Sequence, residues 1–243
     1  MVEQVTLSGV VLKAMPISEY DKRLVILTKE RGKITAFARG ARRQNSSFLA
    51  GSQPMVFGEF TVYQGRNSYT VTGIKVTKYF AQELTDIEKM SYGMYFLELA
   101  DYYGREGIEA ADMLNLLFLS MKALQNSAIP DRLVRVIYEL KTMVINGEYP
   151  NMFTCVNCGN DKELDVFDRK NNGMLCTSCH GVDRRFISVD DSTRYALQYI
   201  ITAKMSKLYT FNVKEEVLVK MEQIVNSYLS SNVDREFKSL EFL

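Results

Sequence analysis

Four cysteines, the only ones in the chain, fall within 25 residues: Cys155-Val-Asn-Cys158 and, after a spacer of 17 residues, Cys176-Thr-Ser-Cys179. A C-x-x-C turn lets two thiolates converge on one ion while backbone N–H groups point at the sulfurs. Gly159 and Gly181 follow the pairs closely and suit a tight knuckle. Two knuckles complete a tetrahedron of sulfurs, a donor set for borderline-soft Zn2+. The expected cofactor is one structural zinc ion, because four thiolates leave no position for an activated water. Two disulfides, an iron–sulfur centre and thiol redox chemistry are the alternatives. The absence of a βαβ context speaks against a thioredoxin-type site. His180, the only histidine, adjoins Cys179. It either replaces that cysteine as a ligand or sits beside the site. A lone histidine next to a metal ligand supports no Ser-His-Asp or Cys-His nucleophile. No G-x-x-x-x-G-K-[ST] phosphate loop is present.

A second constellation is basic. The formal charge is +1, but residues 1–80 hold 12 Lys+Arg against 5 Asp+Glu, while the remainder holds 18 against 24. Such asymmetry points to contact with nucleic acid or another acidic surface. Arg39-Gly-Ala-Arg42-Arg43-Gln-Asn-Ser-Ser47 is basic, small and polar, and suits a loop whose guanidinium groups pair with phosphates. Lys29, Arg31, Lys33 and Arg66 lie in or near turns. Arg132 and Arg135, three apart, are weaker candidates, as are Arg184 and Arg185; a solvated face is their other reading. Phe37, Tyr63 and Tyr69 either stack bases or pack a core.

These groups need elements to hold them. Period-two alternation marks strands: Val5 and Leu7; Leu24 to Thr28; Ile34, Ala36 and Ala38; Phe60 and Val62; Tyr69 and Val71. Glu30-Arg31-Gly32-Lys33 and Gly65-Arg66-Asn67 read as turns. Four or five short strands in about 75 residues suggest a small barrel. After Leu84 the period becomes helical. One stripe carries Tyr92, Tyr95, Phe96, Leu99 and Tyr103. A second carries Met113, Leu116, Leu117, Met121 and Leu124, and a third Leu133, Val136, Ile137, Leu140 and Val144. Asp190 or Asp191 caps a fourth helix bearing Tyr195, Leu197, Ile200, Ile201 and Met205; a fifth bears Val217 to Leu229. The expected organisation is an α+β multidomain chain: a barrel at 1–80, then an α-helical domain at 81–243 with the zinc motif inserted at 150–187.

The composition, 47% hydrophobic and 24% charged, is that of a globular protein rather than a disordered, collagenous or disulfide-dense one. The longest strongly apolar stretch, Leu114 to Met121, is far short of the ~20 residues that span a bilayer. No signal peptide is readable, so a cytoplasmic location and no membrane contact are expected.

The order of these parts, a basic barrel with "GKITAFARGARR", a helical region, "CVNCG…GMLCTSCHG", then C-terminal helices, resembles the RecO family of bacterial recombination mediators over nearly the whole chain. The resemblance implies that the barrel is an OB-fold. It implies binding to single- and double-stranded DNA, annealing of complementary strands, and loading of RecA together with RecR onto DNA coated by single-strand-binding protein. It also implies contact with the acidic, apolar tail of that coating protein, a nucleoid-associated location and no catalysis. An RNA-binding OB/zinc-ribbon protein and a non-catalytic protein adaptor are the competing functions.

Overall fold

The computed structural model describes residues 4–66, 68–84 and 86–243. It resolves into two compact units, Met1–Gln125 with Phe237–Leu243, and Asn126–Glu236.

The first unit is built on a closed five-stranded barrel of order β1-β2-β3-β5-β4. The strands are β1 Gln4–Pro16, β2 Lys22–Thr28, β3 Gly32–Ala38, β4 Val56–Gln64 and β5 Tyr69–Tyr79. All pairings are antiparallel except β3 with β5, which run parallel over Ala36↔Tyr69 and Phe37↔Thr70. This is the strand order of an OB-fold. The alternation does what the sequence indicates: Ile34, Ala36 and Ala38 point inward with Leu7, Leu24, Ile26, Phe60, Val62, Tyr69 and Val71. β1 is long enough to pair β4 with its first half and β2 with its second, bending at a bulge between Val11 and Lys13. Gly32 takes φ +64, and a Cβ there would lie 2.1 Å from the Arg105 carbonyl oxygen. Only glycine suits that place. Of the other expected turn, Asn67 lies outside the described residues.

Helices α1 Ile87–Tyr103 and α2 Ala111–Leu124 belong to the same unit as the barrel. Phe57 of β4, Phe80 and Phe118 of α2 meet edge to face at 5.3–5.4 Å. Such pairs add about 0.5–1.5 kcal/mol each beyond their area burial. Asp101 of α1 receives Lys13 at 2.6 Å and Lys33 at 3.2 Å. Compactness therefore divides the chain later than the change of periodicity near residue 80.

The second unit holds α3 Asp131–Ile145, α4 Asp191–Thr202, α5 Glu215–Asn232 and a small antiparallel sheet. That sheet has order β7-β6-β8, from β6 Leu164–Asp168, β7 Gly173–Cys176 and β8 Phe186–Ser188. Lys141 of α3, buried, donates to the carbonyls of Ile200, Ile201 and Ala203 at 2.8–3.2 Å and so satisfies the C-terminal end of α4. Asp190 caps the other end, accepting from the Thr193 backbone at 2.9 Å. Two members of the α4 stripe do not join the core. Tyr195 is 69% exposed, because two positions from Leu197 is nearly half a turn around a 3.6-residue helix. Met205 lies beyond α4 in a short 3-10 turn, Met205–Lys207.

Candidate metal centre and nucleic-acid interface

The first knuckle follows α3. Cys155 N donates to Asn160 O at 2.7 Å and Gly159 N to Cys155 O at 2.8 Å, with Gly159 at φ +77. The second knuckle leaves β7 at Cys176, and Cys179 N donates to Cys176 O at 2.8 Å. Gly181 does not take the left-handed conformation; only the first knuckle needs its glycine for that. The two knuckles are joined through backbone: Val156 N donates to Met174 O, Met174 N to Asn151 O, and Asn151 N to Asn172 O. Gly173 permits this approach, since a Cβ there would lie 2.3 Å from Val156 Cγ1.

The four sulfurs consequently lie within 4.8 Å of one another. Cys158 Sγ of one knuckle is 3.7 Å from Cys176 Sγ of the other. A tetrahedron with Zn–S of about 2.3 Å has sulfur–sulfur edges of about 3.8 Å, so the donor set fits such an ion. Convergence across knuckles also differs from two separate redox pairs. Burial opposes ionisation of Cys155, yet backbone N–H groups of Cys158, Cys176 and Asn157 outweigh it and bring its pKa down to about 6. Cys179 accepts a favourable bond from Asn157, but the sulfurs of Cys158 and Cys176 push it up to about 12. Four thiols this close ionise together only around a cation. His180 does not join them: Nε2 lies 2.9 Å from Asp165 Oδ1 and Nδ1 lies 3.1 Å from Gly181 O.

The basic groups divide by what surrounds them. Arg39, Arg42 and Arg43 are exposed on the loop after β3, and among the described residues none pairs with a carboxylate. The loop is nonetheless held. Gly40 N donates to Asp21 Oδ1 at 2.7 Å, Arg42 N to Tyr20 O at 2.9 Å, and Arg42 Nη1 to Ser18 O at 2.8 Å. Its far end is tied by buried Lys22, which donates to Ser52 Oγ at 3.0 Å. Burial, then the charge of Arg42, lowers the Lys22 pKa. Loop and β1–β2 turn thus form one continuous surface carrying unneutralised cations.

The remaining candidates are placed differently. The turn between β2 and β3 is stitched to the α1–α2 connection: Lys33 N donates to Arg105 O, Gly107 N to Arg31 O, and Ala110 N to Lys29 O. Lys29 is exposed and Arg31 half-buried there, whereas the Lys33 ammonium binds Asp101 and is not left with the loop arginines. Arg66 is exposed beyond β4. Arg132 and Arg135 belong to the other unit. Arg132 is clamped by Glu222 and Glu215 of α5, and Arg135 binds Glu139 at 2.8 Å. The Glu222 and then Glu215 bonds raise the Arg132 pKa. Arg185 pairs with Asp183. Of the aromatics, Tyr69 is core, Phe37 is half-buried and Tyr63 is 40% exposed. Tyr20, in a polar turn that no periodicity marks, is 43% exposed beside Arg43.

Comparison with known proteins now adds to this geometry. The family described as recombination protein O N terminal matches residues 1–80, and recombination protein O C terminal matches residues 84–241. A DNA repair protein RecO of Alkaliphilus metalliredigens is 32% identical over 235 residues, 96% of each chain. The protein of that name from Acetivibrio thermocellus is 30% identical over 97% of this chain and 94% of its own length. That of Bacillus subtilis is 28% identical over 97% and 92%. Among the described residues, no helix is long and apolar enough to cross a membrane.

Proposed function

This chain belongs to the recombination protein O family, with a role in DNA repair and recombination, and from that premise we propose that it is a non-catalytic mediator that binds single- and double-stranded DNA and anneals complementary strands. The observation that carries the reading is the surface of Arg39, Arg42 and Arg43, fixed by backbone bonds yet unpaired with carboxylates. Guanidinium groups in that state displace counterions from phosphates and give sequence-independent, salt-sensitive binding. In this reading Lys29, Arg31 and Arg66 add further phosphate contacts from other parts of the barrel. Neutralising two strands lowers the repulsion that opposes annealing, and base pairing supplies the sequence match. In this reading Cys155, Cys158, Cys176 and Cys179 hold one structural Zn2+. The protein acts in the cytoplasm with RecR to load RecA onto DNA coated by single-strand-binding protein.

Annealing of two complementary oligonucleotides coated with the cognate single-strand-binding protein tests this. Acceleration by the chain is expected. Binding to naked strands without acceleration would reduce it to a generic nucleic-acid binder, tighter binding to RNA would favour the RNA-directed alternative, and no binding at low salt would favour a protein adaptor.

A further inference from the structure

Tyr20 is an exposed aromatic residue beside the basic loop, and phosphate pairing makes no use of its ring. The Ile17–Asp21 turn is fastened to the loop at three points, through the backbone carbonyls of Ser18 and Tyr20 and the carboxylate of Asp21. The ring therefore keeps its place relative to the arginines. Arg43 lies over it with its guanidinium carbon 5.2 Å from the ring centroid, and the residue still keeps 43% of its surface exposed. Arg43 also lines a shallow cavity of about 450 Å³ with Arg39, Asn45, Ser46, Ser47 and Phe48. One guanidinium is shared between an exposed aromatic face and a cationic, hydroxyl-lined hollow. Those are the two surfaces an unpaired nucleotide needs, one for its base and one for its phosphate.

We propose that Tyr20 is a stacking platform for an unpaired base, with the adjoining phosphate held by Arg39 and Arg43 in the cavity. This corner of the barrel then favours single strands over duplex. A duplex keeps its bases stacked within itself and offers only phosphates, so it gains from the arginines and not from Tyr20. The inference rests on the DNA-binding reading above and deepens it by naming the residue that sets strand preference.

The test compares three probes of equal length by fluorescence anisotropy across a salt series: an oligothymidylate, an abasic oligonucleotide and a duplex. The parent should bind the oligothymidylate about 10-fold more tightly than the abasic strand, a factor in the range of one aromatic stack. Tyr20→Ala should lose that factor on the oligothymidylate, change the other two less than about 2-fold, and leave the salt slope unaltered. Tyr20→Phe should retain it. Equal losses on all three probes, no loss on any, or a parent that does not distinguish oligothymidylate from abasic strand would each overturn the proposal while leaving phosphate binding intact. No binding of any probe by the parent at low salt would overturn the DNA-binding reading itself. The parent's own preference is readable without a variant, so misfolding of Tyr20→Ala would not shelter the idea.

Discussion

Arg132 and Arg43 carry the same guanidinium group, and the chain surrounds them in opposite ways. Arg132 meets two carboxylates of α5, one through both Nε and Nη2. Arg43 meets a tyrosine ring and an open hollow. The first joins two helices through ion pairs; the second has no carboxylate partner among the described residues. The same contrast separates the cysteine cluster from the basic loop. The sulfurs converge on one another and form a donor set that fits a single ion. The loop is held to the β1–β2 turn, and among the described residues its arginines pair with no carboxylate. In the proposed reading, the cations that bind a ligand are those without carboxylates around them.

The largest expected effect tests the inward-facing side of that comparison. Replacing Cys155 and Cys158 by Ser should remove the metal, since binding and folding are coupled there and structural zinc in peptides contributes roughly 10–16 kcal/mol. Hydrogen exchange should show residues 151–188 losing protection, with the Phe167 and Met174 core opened. Affinity for DNA phosphates and its salt slope should stay near the parent's. Unchanged exchange and melting would show that the cluster holds nothing in place, and a collapsed salt slope would show that the two regions are not separable.

Exchanging the roles of the arginines sharpens the comparison. Reversing Arg39, Arg42 and Arg43 to Glu should weaken binding to all sequences alike and reduce the salt slope on single strands by roughly 2, at about 0.7 per phosphate contact. Melting should move by no more than about 0.5 kcal/mol equivalent, as for other surface changes. Arg132→Met should do the reverse, costing about 1 kcal/mol of stability because the pairs are partly exposed, with DNA affinity unchanged. If Arg132→Met weakened DNA binding while the loop variants did not, the assignment of the two sets would have to be inverted.

The legible parts were those whose cause is local. The C-x-x-C spacing announces the sulfur cluster because four residues fix both sulfurs of a knuckle, and the pair Asp190-Asp191 announces a cap, which Asp190 supplies to Thr193 three residues away. Barrel alternation is local too, and it placed Ile34, Ala36 and Phe60 correctly inside. What was hidden depends on distant partners. Nothing near Lys33 reveals Asp101, 68 residues on, and nothing near Arg132 reveals Glu222, 90 residues on. The strands β6 to β8 are three to five residues long and interrupted by polar turns, too short for a period to register. Tyr20 carries no periodic mark, because its position comes from bonds to a loop about twenty residues later.

The smallest expected effect concerns a paired, partly exposed charge at a helix end. The Lys220 ammonium, 2.6 Å away, holds the Asp190 carboxyl below the usual carboxylate range; burial opposes this, and the Thr193 N–H and hydroxyl assist. A carboxyl with a lower pKa folded than unfolded binds more protons in the unfolded state, so it adds stability as pH rises. Its contribution is complete above about pH 5, where the unfolded carboxyl is ionised, and is lost as pH falls below about 4 towards the folded value. Asp190→Asn keeps an oxygen for the Thr193 N–H but gives up the charge. At pH 7 the parent should be more stable than this variant by about 1 kcal/mol or less, because the pair is partly exposed. The difference should shrink steadily in melts from pH 5 down to pH 2. A difference independent of pH would mean that capping geometry, and not the Lys220 charge, is what Asp190 provides. It would also weaken the broader contrast, since a charge paired within the chain would then have no more electrostatic consequence than one without such a partner.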